Sequence, residues 1–411
     1  MRNNYKKFIP HRPNWAISWP KIISAVWALL IVIWIGWALF RRDPNMLSMN
    51  LTTPKTTPTN FAWPQSGEAA IGLVRGDAIG CKTRGASVSR PTASVAKVIT
   101  ALVVLEKYPL KNGDSGPVIT MKPADVDLYN QIVASGGSNL PVVVGEKLTE
   151  KQLLQAMMIV SSDNSSDSLA TWAFGGLAHY KVAATKWLHN HHLNKTRLGT
   201  DASGLDPGTT STANDLCHLM GWALQNPVLT DIMSTRSIDN FPLGHNTGTI
   251  NNTNRSLGRA GIFAGKTGSL GSGFYNLVTA AHVNIDGRTT TVISTVMGQD
   301  NFVTLFDMTA NLIQSNGDNI VTRDIRPGQI IGYATNRAGT RVALTAKTTL
   351  LVASWRDQKI NLQANFFANK GAIMKNSIVG FLSDPTSGFS APIVVKNTLV
   401  APSFLWRLTH P

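Results

Sequence analysis

The sequence predicts an α+β domain followed by a small all-β domain, with an N-terminal transmembrane helix ahead of both. Three observations carry that prediction. The run from Ile22 to Phe40 holds 19 residues without a charge, and as a helix it would span about 28 Å, one bilayer core. Between Gly67 and about residue 320, strand-like runs come early and late with helical stretches between them, the order of an α+β fold. Beyond residue 321 only strand-like strings remain, and two of them recur.

Composition sets the outer limits. With 411 residues, 43% of them hydrophobic and 15% charged, the chain can bury more than one core and is neither disordered nor a fibre. Two cysteines, Cys81 and Cys217, are too few for a disulfide scaffold or for a multi-cysteine zinc or iron–sulfur site. One disulfide between them and two free thiols both stay open. The net charge of +15 sits at the two ends: +6 within residues 1–43 and +8 within residues 321–411. Such ends suit anionic surfaces. No nucleic-acid module is recognisable in the tail, so anionic wall polymers or lipids are the expected partners.

Residues 1–21, with Arg2, Lys6, Lys7, Arg12 and Lys21, form a basic segment expected in the cytoplasm. Residues 22–40 are apolar all round, as a membrane-spanning helix must be. No small-x-small cleavage site follows, which predicts an uncleaved single-pass signal anchor with the remainder extracytoplasmic. Residues 41–66 are rich in Thr, Pro and Asn and lack periodicity, the composition of an extended linker.

The segment 67–320 opens with the strand-like AAIGLV. Thr92–Lys107 is helical in length and almost continuously apolar, which predicts a buried helix. Thr149 with Gln152 has capping-box spacing and opens a helix through Val160. A second helix runs from Ser165 to Phe174 and stops at Gly175-Gly176. Phe274–Val283 and Thr289–Met297 are β-rich and flank Asp286-Gly287, a hairpin. In the β-rich domain 321–411, Ile330-Ile331-Gly332-Tyr333 returns as Ile378-Val379-Gly380-Phe381. Lys347-Thr348-Thr349-Leu350 returns as Lys396-Asn397-Thr398-Leu399, at offsets of 48 and 49. Two landmarks in the same order indicate a duplicated β unit.

Ser94-Val95-Ala96-Lys97 places a hydroxyl and an amine one turn apart on the buried helix. Desolvation makes an ammonium there costly, so Lys97 is a candidate base for Ser94, which without such a neighbour is a poor nucleophile. Ser162-Asp163-Asn164 lies in the short connection between two predicted helices, and Lys266-Thr267-Gly268 follows a strand-like run. The ordered set Ser-x-x-Lys, Ser-Asp-Asn, Lys-Thr-Gly is that of class A β-lactamases and penicillin-binding proteins. Here the two serines are 68 residues apart, and Lys266 follows Ser162 by 104.

With these motifs the sequence resembles the serine D-Ala-D-Ala carboxypeptidases, the low-molecular-mass penicillin-binding proteins of the peptidase S11 type. Pro91-Thr92-Ala93, Ser203-Gly204-Leu205-Asp206 and Ser211-Thr212-Ala213-Asn214-Asp215 resemble the family's connecting motifs, and the likeness runs from about Gly67 to Asn319. It implies a β-lactamase/penicillin-binding-like transpeptidase domain that removes the terminal D-alanine of peptidoglycan stem peptides, in cell-wall and cell-shape biology. It also implies covalent inhibition by β-lactams. Carried onto this chain, Ser94 is the nucleophile, Lys97 the base, and Ser162 passes a proton towards the leaving amine. Asn164 would hold Lys97 and the substrate amide, Lys266, Thr267 and Gly268 would bind substrate, and the backbone N–H groups of Ser94 and Ser269 would form the oxyanion hole. No cofactor and no metal are implied.

The chain departs from the family in its amino-terminal helix and its end at Pro411, and the doubled serine Ser161-Ser162 permits a second register. Other readings of the fold are a D,D-endopeptidase, a β-lactamase or a catalytically silent wall-binding protein. A glutamate-assisted β-lactamase is disfavoured because the last glutamate is Glu150. Ala260–Thr267 nearly spells a phosphate-binding loop, but Gly268–Gly273 is a poor helix start. His189, His191 and His192 lack the acidic or cysteine pattern of a metal site.

Overall fold

The computed structural model describes residues 19–51, 55–76, 78–85, 87–271, 273–385 and 388–410. Most of the basic segment expected at residues 1–21 lies outside the described residues.

The uncharged run forms α1, Trp19–Phe40, three residues longer at its start than the apolar stretch itself. Its mean hydropathy reaches 2.4 and its side chains are almost all exposed, which no core helix of this composition would be. Within the expected linker, Met46–Met49 is a strand, so residues 41–66 are not a free tether throughout.

The α+β domain is built on a five-stranded antiparallel sheet in the order Ile262–Gly268, Tyr275–Ile285, Arg288–Gln299, Glu68–Arg75, Ala78–Arg84. The first two long strands after Gly268 form the expected hairpin, closed by the two-residue turn Asp286-Gly287 with positive φ at both positions, the type I′ geometry that matches strand twist. Both faces are covered, so the buried apolar side chains of the strands alternate between two cores. Ala70, Val278, Ala280 and Ile293 face a helical layer, whereas Ile71, Leu73, Leu277, Val292 and Val296 face the other way.

The helical layer runs along the chain as α2 (Lys97–Lys107), α3 (Pro123–Ala134), α4 (Glu150–Ile159), α5 (Asp163–Phe174), α6 (Leu177–Asn190), α7 (Ala213–Leu224) and α8 (Pro227–Ser234). Helix α9 (Phe302–Gln314) covers the opposite face through Leu305, Leu312 and Ile313. Helix α2 is the buried one, with every residue from Lys97 to Leu105 buried. It does not open at Thr92 as an α-helix; a 3-10 turn, Ala93–Ala96, precedes it. Thr149 and Gln152 cap α4 reciprocally, and Gly175 ends α5 in the left-handed region.

Cys81 and Cys217 are bonded, tying the edge strand Ala78–Arg84 to α7 across 136 residues of chain. A Cβ on Gly72 would lie 2.6 Å from Cys217 Sγ and 3.3 Å from Cys81 Sγ, so the bond packs against a strand position that only glycine fits.

The all-β domain holds a six-stranded sheet in the order Met46–Met49, Ile330–Thr335, Arg341–Ala346, Ser390–Val395, Ile378–Ser383, Gln363–Phe366. The repeated landmarks open the equivalent strands Ile330–Thr335 and Ile378–Ser383, each with a register shift just before its glycine, Gly332 or Gly380. Each glycine lies against a backbone carbonyl of an outer strand, Ser48 O on one side and Asn365 O on the other. Met46–Met49 is thus the counterpart of Gln363–Phe366, and the β domain expected at 321–411 also takes in residues from the far end of the chain. The sheet is tied to α1 as well, because α10, Phe404–Thr409, packs on the end of that helix. Arg407 donates to the carbonyls of Leu39 and Arg41, and Arg41 donates to that of His410 at 2.9 Å. Trp355 joins the two domains, donating to Gly80 O at 3.1 Å with its ring against Phe61.

Candidate active site

Ser94 lies in the 3-10 turn, and Ala93 just before it has φ +49, a left-handed conformation costly for a residue with a Cβ. The turn leaves Ser94 partly exposed while Lys97, one turn on, is fully buried. Lys97 Nζ lies 2.7 Å from Ser94 Oγ, 2.6 Å from Asp163 Oδ1 and 3.0 Å from Ser203 O. These three acceptors match the three N–H donors of an ammonium. Asp163 is almost wholly buried as well, so the two form a buried ion pair.

The second expected motif is displaced by one residue. Ser162 is the N-cap of α5: its Oγ accepts from the Ser165 N–H at 3.1 Å and lies 2.9 Å from Asn164 Oδ1. Asn164 clamps the backbone of Leu140, accepting from its N–H at 2.9 Å and donating to its carbonyl at 3.0 Å. Both face away from Lys97 because the capping geometry turns Ser162 into the protein. Ser161 has φ +64, which swings its hydroxyl to the opposite side. There it accepts from Lys266 Nζ at 2.9 Å and lines the cleft beside Ser94. Ser161 and Asp163 therefore stand where Ser162 and Asn164 were expected; the doubled serine was the one sequence signal for this register.

Lys266 and Thr267 lie near the end of the sheet's first strand. Lys266 is buried, and its pKa is held well below the usual lysine range by desolvation first and the nearby Lys97 charge second, opposed by Asp163. Besides Ser161 it donates to Thr267 O at 2.8 Å. Thr267 Oγ1 lies 2.8 Å from Thr253 Oγ1. A Cβ on Gly268 would meet Thr92 O at 2.7 Å and Ser94 N at 2.9 Å, so glycine lets this strand press against the turn that carries Ser94. The strand leads to the hairpin, and among the described residues no helix lies between Gly268 and Tyr275, which speaks against the phosphate-loop reading.

The cleft holds about 430 Å³, with Ser94, Ser161, Thr253, Thr267, Ser269 and Arg255 among its lining residues. Arg255 is exposed at the mouth and has no carboxylate partner among the described residues. Sequence reasoning missed it, since a lone surface arginine carries no pattern. Beneath Lys97, Asp167 accepts from the Ala202 N–H at 2.8 Å, and burial pushes its carboxyl up to about 7. His191 stacks on Trp187, with Nδ1 2.8 Å from the Trp187 carbonyl, so its ring is engaged at a helix end. The cleft thus brings together a serine hydroxyl backed by a buried lysine, a second serine and an exposed arginine.

The family model for D-alanyl-D-alanine carboxypeptidase, Peptidase S11, matches residues 82–301. The chain belongs to this family. It is a serine hydrolase by that membership. A D-alanyl-D-alanine carboxypeptidase of Mycobacterium tuberculosis is 31% identical over 206 residues, 48% of this chain and 64% of the relative. One from a Streptomyces strain is 30% identical over 234 residues, 52% of this chain and 75% of the relative. The chain thus spans slightly less than two thirds of the mycobacterial relative's length. Among solved structures, penicillin-binding protein 3 of Streptococcus pneumoniae has the same fold, with TM-score 0.64, 18% identity and coverage of 83% of this chain and 100% of that one.

Proposed function

We propose that this chain is a serine-type D-Ala-D-Ala carboxypeptidase that releases the terminal D-alanine of peptidoglycan stem peptides through an ester on Ser94. The observation that carries the reading is the 2.7 Å contact between Ser94 Oγ and Lys97 Nζ beside a cleft that Ser94 and Arg255 both line. Lys97 takes the Ser94 proton as Oγ adds to the scissile carbonyl. The backbone N–H groups of Ser94 and Ser269 receive the oxyanion, a charge present only in the transition state. Ser161, next to Lys266, delivers a proton to the leaving amine. Lys266, Thr267 and Arg255 supply positive potential and a hydroxyl donor for the terminal carboxylate. Gly268 permits the close approach that holds these groups in place.

A β-lactam enters as a second acyl donor to Ser94. No glutamate is among the described residues that line the cleft, so none stands ready there to activate water against the adduct. The anchor reading gives α1 the bilayer, the catalytic domain the extracytoplasmic side and the β domain a place at the membrane exit. That last placement is favoured by the Arg407 and Arg41 bonds around α10 and by the exposed Phe404 and Leu405. The tail's basic residues then face anionic lipid headgroups or wall polymers.

The test uses the full-length chain in detergent, with a peptide ending in D-Ala-D-Ala and, separately, with penicillin. Free D-alanine and a long-lived penicilloyl mass on Ser94 are expected. Rapid penicillin turnover without D-alanine release would replace this reading with a β-lactamase.

A further inference from the structure

A cavity of about 190 Å³ lies where the two domains meet, and it shares none of its described lining residues with the cleft beside Ser94. From the α+β domain it is lined by Arg75, the last residue of the strand Glu68–Arg75, and by Thr289 and Thr290 just after the hairpin turn. From the β domain it is lined by Leu351, Val352 and Ala353 of the strand Leu350–Trp355, which pairs antiparallel with Ile320–Ile325. Arg75 is only 7% exposed, and its Nε has no hydrogen-bond partner. Among the described residues no carboxylate stands within ion-pair distance of its guanidinium. Arg288, also in the lining, differs, because it forms a two-pronged ion pair with Asp324.

We infer that this junction binds a small monocarboxylate with a short apolar body, its carboxylate paired with Arg75. Burying a cation without a contacting counter-charge is costly. Burial lowers the Arg75 pKa, opposed by the charge of Asp384, yet an arginine keeps its proton in a protein, so the charge stays. A carboxylate matches the planar fork of a guanidinium and brings the acceptors that Arg75 lacks. Leu351, Val352 and Ala353 offer the rest of the ligand an apolar wall. A phosphate dianion fits less well, because its second charge would face Asp384 and Asp324 and the apolar wall gives it no donors. The cavity is smaller than the about 300–1,000 Å³ that holds a drug-sized ligand, which limits the occupant to a fragment. The inference does not depend on the chemistry at Ser94.

Hexanoate is the probe, with hexanol and inorganic phosphate as comparisons, and binding to the full-length chain in detergent is measured by isothermal titration calorimetry. Thermal unfolding checks that each variant is folded. One hexanoate per chain should bind saturably, and at least about tenfold more tightly than hexanol or phosphate, the worth of a hydrogen bond to a charged group. Arg75→Met keeps the length of the side chain without its charge and should weaken hexanoate at least about tenfold, while Arg75→Lys should recover part of the loss. Ala353→Leu leaves Arg75 in place and fills the cavity from the β domain, so it should weaken hexanoate as well and tests the same site should Arg75→Met not fold. No hexanoate binding to the wild-type chain, or the same affinity in the wild type, Arg75→Met and Ala353→Leu, would overturn the inference. Phosphate binding more tightly than hexanoate would overturn the ligand class.

Discussion

Exchanging the two adjacent serines for alanine separates chemistry from stability. Ser161 Oγ is 2.9 Å from Lys266 Nζ and lines the cleft, whereas Ser162 Oγ caps α5 through the Ser165 N–H at 3.1 Å. Ser161→Ala removes the proposed proton-transfer group, and such groups contribute about 100- to 10,000-fold. It also takes one of the two acceptors from the buried Lys266 amine, a cost of about 1–3 kcal/mol. Ser162→Ala removes a helix cap, a loss of about 1 kcal/mol that lowers Tm by about 2–4 °C in a domain of this size. Acylation by a fluorescent penicillin, D-alanine release and thermal unfolding should be followed for both variants. Expected is a collapse of D-alanine release at least 100-fold in Ser161→Ala, and near-normal chemistry with a lower Tm in Ser162→Ala. The reasoning is refuted if Ser162→Ala is inactive at unchanged Tm while Ser161→Ala works normally.

Two further perturbations test the framework around the site. Glu150 is buried with no hydrogen-bond partner on either oxygen, and burial pushes its carboxyl from 4.5 up to about 7. The folded state therefore keeps a proton that the unfolded chain releases, so stability falls as pH rises from 4.5 to 7 and the full penalty, about 3 kcal/mol, stands above 7. Glu150→Gln should raise Tm at pH 8 and leave it unchanged at pH 4; an equal effect at both would exclude the titration. The Cys81–Cys217 bond closes 136 residues, which by chain entropy stabilises by up to about 5 kcal/mol. Cys217→Ser should lower Tm by about 10 °C and make it insensitive to reductant, whereas a wild-type chain indifferent to reductant would show the bond to be energetically idle.

Much of the fold was legible because it depends on local pattern. The apolar run, the capping box at Thr149 and Gln152, the turn at Asp286-Gly287 and the β-rich runs on either side of it each announce one element through residue type and period alone. The Ser94–Lys97 pair was equally plain, since three residues on a helix is one turn whatever the rest of the chain does. The repeat in the tail survived into the structure because each copy places its glycine against a neighbouring backbone.

Tertiary contacts decided what no local pattern could. Ser161 and Ser162 are the same residue type, and their roles diverged only when α5 took Ser162 as its cap and left Ser161 in a left-handed turn facing Lys266. Asp163 looked like a motif's middle residue until α5 brought it onto Lys97. Met46–Met49 has no strand signal of its own; it is a strand because the β sheet offers an unpaired edge at Ile330–Thr335, and backbone donors and acceptors brought to such an edge pair with it. Local sequence specifies which conformations a segment can adopt at low cost, while the choice among near-equal ones falls to partners hundreds of residues away.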